Sequence, residues 1–209
     1  MDQRSMYAGA SQQSVLQTNK VLRNTYMLLA MTLAFSAVCA GIAMAVGISP
    51  IMSLVMTIGA FITLFVVQKK ADSASGIYWV FAFTGLMGAS LGYTLQFYLA
   101  MGGPGLIMQA LGATALVFFA LSGYALTTKK DFSFLGGFLI VGLVVAIVAG
   151  IANIFFMVPA VSLAISAAIV FIMSGFILFD TSRIVNGGET NYIRATVALY
   201  LNVYNLFTS

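Results

Sequence analysis

Apolar residues run along most of the chain in long blocks, and short polar or glycine-containing stretches separate these blocks. After residue 25 there are seven blocks, and each approaches the twenty or so residues that an α-helix needs to cross a bilayer core. We therefore predict an all-α membrane protein whose seven transmembrane helices cover residues 26–46, 51–67, 77–99, 106–126, 134–156, 161–185 and 191–207.

Composition supports the membrane assignment. Only 7% of the 209 residues are charged and 61% are hydrophobic, whereas soluble domains contain about 25% charged residues. Residues 26–209 are expected to form one compact bundle, because no connection between the blocks is long enough for a second domain. Residues 1–25 are polar and lack the features of a cleavable signal peptide, so they are expected to form a flexible cytosolic tail. The chain has no charged anchor after residue 207, which favours a missing terminal segment.

The positive charges predict the orientation in the membrane. All nine lysines and arginines fall in the tail, in the second-to-third and fourth-to-fifth connections, or around the sixth-to-seventh turn. The other three connections carry no charge. Because cytoplasmic loops are enriched in Lys and Arg, we predict a cytoplasmic N-terminus and a periplasmic C-terminus in a bacterial inner membrane. The orientation in the lipid bilayer then explains the net charge of +4, and no nucleic-acid partner is needed to account for it.

The residue types exclude most catalytic chemistry. Histidine is absent and Cys39 is the single cysteine, so a Ser-His-Asp triad, a Cys-His pair, a histidine metal site and an internal disulfide cannot be built. An intramembrane aspartyl protease needs two adjacent carboxylates, but Asp180 is the only acidic residue in a predicted span. Asp72, Asp131 and Glu189 lie in connections and are expected to be solvated. We predict a protein that is not an enzyme and needs no cofactor.

Charge is concentrated in one fifteen-residue window, which holds four of the fourteen charged residues. The sixth helix is expected to continue to a turn at Gly187 and Gly188, which leaves Asp180 on the order of 10 Å from the helix end. If the seventh helix begins near Glu189 and returns antiparallel, Arg194 reaches a depth similar to that of Asp180. The window therefore contains these charged residues: Asp180, Arg183, Glu189 and Arg194.

Two interpretations of Asp180 follow. As a structural group, it would form an ion pair with Arg183 or Arg194. As a functional group, it would be a carboxylate whose charge depends on the helix arrangement, with the uncharged amide of Asn202 two turns deeper. The cost of an intramembrane carboxylate favours the functional interpretation.

A family resemblance is carried by four segments. They are ILFDTSRIVNGGETNYIRATVALYLNVYNLF at 177–207, KVLRNTYMLLAMTLAFSA at 20–37, ALVFFALSGYALTTKKDFSFLGG at 115–137 and ANIF at 152–155. From Lys20 onward the chain resembles the Bax inhibitor-1 family, also called the transmembrane Bax-inhibitor-motif family. The resemblance implies a seven-helix bundle with the last helix near its centre.

The resemblance also implies two functions. Family members studied as channels are pH-sensitive calcium leaks gated by two aspartates, of which Asp180 matches the first. Asn202 occupies the second position, in LYLN where the family has LYLD, and Gln68 and two lysines stand where channel members have an arginine. A bacterial branch instead binds and restrains the membrane-anchored protease FtsH, which engages its N-terminal tail.

An Asp–Asn pair cannot share a proton between two acids, so we take FtsH modulation as the leading hypothesis. The alternative is a pH-sensitive calcium or cation leak with Asp180 on the ion path. The predicted sensing or gating residues are Asp180, Asn202, Arg194 and Arg183, next to a hairpin turn at Gly187, Gly188 and Glu189.

Overall fold

The protein is all-α in a computed structural model that describes the backbone of residues 3–209 and the side chains of residues 16–209. Seven helices follow one another along this part of the chain, which confirms the all-α fold and the number of helices. Their bounds are α1 (Gln3–Val46), α2 (Pro50–Lys70), α3 (Gly76–Gly102), α4 (Pro104–Thr128), α5 (Leu135–Phe156), α6 (Pro159–Val185) and α7 (Tyr192–Thr208).

Five segments of the described residues are long and apolar enough to cross a membrane: Leu16–Val46 within α1, and helices α2, α4, α5 and α6. Helix α7 has only 17 residues, and α3 carries glycine, tyrosine, serine and threonine along its length. That these two helices also cross the membrane stays a prediction.

The predicted tail, residues 1–25, has no boundary of its own, because α1 is helical from Gln3 and continues into the apolar segment. Residues 1 and 2 and the side chains up to residue 15 lie outside the described residues. The role of the tail as a flexible cytosolic segment therefore stays a prediction.

Proline and glycine explain where several helices begin and end. The three prolines of the chain are the first residues of α2, α4 and α6, a position where the missing N–H of proline costs nothing. At the other end of α6, Gly187 adopts φ +76°. The Gly188 N–H then donates to the Arg183 carbonyl at 2.7 Å and the Gly187 N–H to that of Ile184 at 3.3 Å. This pairing closes the helix and fixes the hairpin turn.

The chain divides into two compact units. Unit 1 comprises Met1–Asn19, Ala110–Thr190 and Leu201–Ser209, and unit 2 comprises Lys20–Gln109 and Asn191–Tyr200. Helix α7 thus contributes its first part to unit 2 and its last part to unit 1.

In unit 2, glycines on α3 allow α1 to come very close. A Cβ atom at Gly88 would overlap the Ser36 carbonyl, and one at Gly92 would lie 2.7 Å from the Ala43 Cβ. The GxxxG spacing is therefore an intramolecular packing surface, as glycine spacing of this kind in membrane helices predicts.

In unit 1, some of the glycines of α5 allow α6 to come close. A Cβ atom at Gly136 would lie 2.8 Å from the Phe179 ring, and one at Gly142 would lie 3.3 Å from Ile172. Apart from the backbone of α5 itself, no atom of the described residues lies within 4 Å of a Cβ placed at Gly137 or Gly150. Close packing between α5 and α6 therefore depends on Gly136 and Gly142, and not on Gly137 and Gly150.

Candidate functional site

Asp180 and Asn202 meet within unit 1. Asp180 lies on α6 and Asn202 on the last part of α7, and the Asn202 Nδ2 donates a hydrogen bond to the Asp180 Oδ2 at 2.7 Å. Asn202 is 6% exposed, and Asp180 is half-buried. This distance lies in the ordinary range for an N–H···O hydrogen bond. The two residues on which the family comparison depends are thus in direct contact.

Arg183 lies one turn after Asp180 and is held by the hairpin turn. Its Nη2 atom is 3.8 Å from the Glu189 Oε2 and 3.4 Å from the Gly188 carbonyl. Its guanidinium also lies 5.5 Å from the centre of the Phe179 ring. The side chain is 38% exposed, so this ion pair contributes little to stability.

Arg194 has a different partner from the one predicted. Its Nη2 atom donates to the Asp72 Oδ2 at 2.6 Å in unit 2. Asp72 lies in the α2–α3 loop, residues 71–75, which is 122 positions away in the chain. Asp72, expected to be a solvated charge, is ion-paired although its side chain is 72% exposed. The sequence offered no signal for this pairing.

Asn191 joins the same loop to the first turn of α7. Its Oδ1 atom accepts hydrogen bonds from the backbone N–H groups of Ile193 and Arg194, at 2.9 and 3.1 Å, as a helix N-cap does. Its Nδ2 atom donates to the Asp72 Oδ1 at 2.8 Å and to the Ala71 carbonyl at 3.0 Å. Both oxygens of Asp72 therefore have a partner.

The other candidate residues lie at the surface. Gln68, Lys69 and Lys70 are exposed at the end of α2. Asp131 is exposed in the α4–α5 connection, where hydrogen bonds from the Ser133 hydroxyl and backbone N–H hold the pKa of its carboxyl below the ordinary value of 3.8. In the described part of the chain, no three acidic or cysteine side chains lie close enough together to hold a metal ion.

A buried polar network in unit 2 was not predicted. The Tyr200 hydroxyl lies 2.7 Å from the Ser36 Oγ and donates to the Thr84 carbonyl at 3.3 Å. The Tyr200 ring also packs edge-on against Phe83, with 5.6 Å between ring centres. A tyrosine in an apolar helix was the available signal, since a buried tyrosine hydroxyl usually finds a partner.

These features define a multi-pass membrane protein with a single carboxylate–amide pair between its last two helices. Residues 18–209 match the family described as inhibitor of apoptosis-promoting Bax1, and the chain belongs to this family. The predicted resemblance is confirmed.

Three relatives show how close the similarity is. An uncharacterised membrane protein of Vibrio cholerae is 56% identical over 202 residues, which cover 96% of this chain and 91% of the relative. The modulator of FtsH protease YccA of Escherichia coli K12 is 53% identical over 197 residues, covering 94% of this chain and 90% of the relative. In E. coli O6:H1 the corresponding protein is named inner membrane protein YccA. With the five apolar helices, this confirms a multi-pass inner-membrane protein.

Proposed function

We propose that this chain binds the membrane-anchored protease FtsH and restrains it, acting as a regulator rather than as an enzyme. The observation that carries the proposal is the 53% identity, over 94% of the chain, to the E. coli modulator of FtsH protease. At such identity and coverage the whole architecture is shared, not a single motif.

The proposal includes a topology. All seven helices cross the membrane, the N-terminus is cytoplasmic, the C-terminus is periplasmic and α7 lies near the centre of the bundle. The one-sided distribution of lysine and arginine supports this orientation.

The N-terminal segment is the proposed contact for the protease. The apolar block of the first predicted span begins at residue 26, so residues 2–15 precede it in the sequence. FtsH would engage this segment, while residues 26–209 form the membrane bundle that stays folded without it.

Deleting residues 2–15 tests this division of roles. We expect the shortened protein to keep its melting temperature, because no part of the apolar segment is removed, and to lose both its degradation by FtsH and its inhibition of the degradation of a second membrane substrate. The measurement is degradation in proteoliposomes that contain FtsH and either variant.

A chain with residues 2–15 in scrambled order is the matched control, since it keeps length and composition. If the shortened protein is degraded and inhibits FtsH as the full chain does, the tail has no part in the interaction. If the full chain neither binds nor inhibits FtsH, the proposed function is wrong.

The second candidate function is a pH-sensitive calcium or cation leak. The observation in its favour is the half-buried carboxylate of Asp180 in a membrane helix, held by Asn202 at 2.7 Å. Placing a carboxylate in a membrane helix costs free energy, which makes a functional role the default hypothesis for Asp180. Calcium would be the transported ion here and not a resident cofactor.

Calcium flux in proteoliposomes tests the leak. If Asp180 lies on the ion path, we expect the wild type to conduct calcium with a pH-dependent rate and Asp180→Asn to fall to the rate of empty liposomes. Asp131→Asn, which removes an exposed acid of the α4–α5 connection, is the control and should conduct as the wild type does. Equal fluxes from the wild type and Asp180→Asn at acidic and alkaline pH would remove Asp180 from the path.

A further inference from the structure

Unit 2 contains a cluster of buried hydroxyl groups between α1, α3 and α7. All members are at most 7% exposed. At one end the Tyr200 hydroxyl contacts Ser36 and the Thr84 carbonyl. One turn earlier on α7, the Thr196 hydroxyl donates to the carbonyls of Tyr192 at 2.7 Å and Thr25 at 3.3 Å. We call this set the hydroxyl cluster: Thr25, Ser36, Thr84, Thr196 and Tyr200.

The end of the hydroxyl cluster near the start of α7 is incompletely satisfied. The Thr25 side chain is 0% exposed, and its Oγ1 atom has no hydrogen-bond partner among the described residues. Buried polar groups are nearly always paired with protein or with ordered water. Thr25 is therefore a group that water would stabilise if it could reach the cluster.

The α2–α3 loop contacts the first turn of α7, which is the turn that precedes Thr196. Ile193, one turn before Thr196 on α7, is 1% exposed, and Ala71 of the loop is 4% exposed. A Cβ atom at Gly76 would lie 2.6 Å from the Lys70 carbonyl and 2.9 Å from the Ile193 side chain. The loop and the start of α3 thus pack against the first turn of α7 with no room for another side chain.

Polar contacts at the surface hold the loop in this position. The Asp72 carboxylate accepts from Arg194 at 2.6 Å and from Asn191 at 2.8 Å, and its side chain is 72% exposed. An exposed ion pair stabilises by only about 1 kcal/mol or less. Contacts of this kind break and re-form without unfolding the apolar core beneath them.

We propose that the α2–α3 loop is a lid over the hydroxyl cluster, latched by Asp72 to Arg194 and Asn191, and that its opening admits water and small polar solutes to Thr25 and Thr196. The lid needs only a five-residue loop to move. The residues of the lid are separate from residues 2–15, the segment proposed to contact FtsH.

Cysteine accessibility tests the lid, because the chain has one native cysteine. In the full-length chain with Cys39→Ser, Thr25→Cys introduces a near-isosteric thiol at the hydroxyl cluster. The rate of its reaction with a small water-soluble methanethiosulfonate is measured in proteoliposomes. We expect Asp72→Ala to raise this rate by about fivefold, the ratio that the loss of about 1 kcal/mol of latch stability gives. The pair Asp72→Arg with Arg194→Asp restores opposite charges and should return the rate to within about twofold of the parent.

Asp131→Asn is the matched control, because it removes an exposed acid from a loop of unit 1 and should leave the rate unchanged. A rate that Asp72→Ala does not change would overturn the lid. An equal rise in Asp131→Asn would overturn it too, since the effect would then be a general loosening. Thr196→Cys is the second probe, for use if Thr25→Cys does not fold, and carries the same expectations.

Discussion

Replacing Gly88 with alanine is expected to lower the free energy of unfolding by about 2–3 kcal/mol, the upper part of the range for overpacked cores. The added Cβ would overlap the Ser36 carbonyl on α1, which belongs to a helix backbone and cannot rotate away. Ser36 is also the partner of the buried Tyr200 hydroxyl, so moving α1 disturbs that contact. Unfolding in mixed micelles, followed by circular dichroism, measures the loss.

Gly112→Ala is the control for this prediction. Gly112 lies within α4, and a Cβ there would meet nothing within 4 Å. Because alanine favours a helix over glycine by up to about 1 kcal/mol, this change should be neutral or stabilising. Equal losses from the two substitutions would mean that the α1–α3 contact does not limit the size of residue 88.

The helices were predictable because their cause is local. Long apolar blocks, interrupted by polar or glycine-containing connections, place each of the seven helices, and the three prolines mark three starts. The tail is different: α1 is helical from Gln3, although residues 1–25 are polar and show no apolar periodicity. A polar helix leaves no pattern of buried positions by which the sequence could reveal it.

The candidate site was predictable only for the residues on α6 and α7, which one short turn connects. Asp180 and Asn202 are 22 positions apart and lie on helices joined by a short turn. Counting from that turn placed Arg194 opposite Asp180, yet the partner is Asn202, about two turns further along. Counting the same number of residues in both directions from the turn assumes that α6 and α7 are not shifted along one another. The sequence pattern does not determine that shift.

Partners that come from distant segments were not predictable. Asp72 and Arg194 are 122 positions apart, and Ser36 and Tyr200 are 164 apart. Each of these residues has several chemically suitable partners in the sequence. The choice among them follows from helix packing, where glycines such as Gly88 decide which backbones come close.

Asn202→Leu is expected to destabilise the fold by about 2–3 kcal/mol. The substitution removes the amide that donates to Asp180 at 2.7 Å and leaves a half-buried carboxylate beside an apolar side chain. A buried charged group that loses its hydrogen-bond donor costs at least this much. Replacing both residues with leucine should recover most of the loss, because no carboxylate then lacks a partner. The free energies of unfolding of the wild type, Asn202→Leu, Asp180→Leu and the double variant are measured in mixed micelles. Together they form a double-mutant cycle.

Asn205→Leu is the matched control, because Asn205 lies on the same helix and its side chain donates to the Leu201 carbonyl of that helix, at 2.8 Å. Its loss should cost about 1 kcal/mol or less, as an ordinary hydrogen bond does. If Asn202→Leu costs no more than Asn205→Leu, the contact does not stabilise Asp180. If the leucine pair is as unstable as Asn202→Leu, the loss comes from packing at residue 202. A large loss of stability in Asn202→Leu that the double leucine variant recovers would identify the unpaired Asp180 carboxylate as its cause. It would show that the Asn202 amide stabilises Asp180 within its membrane helix.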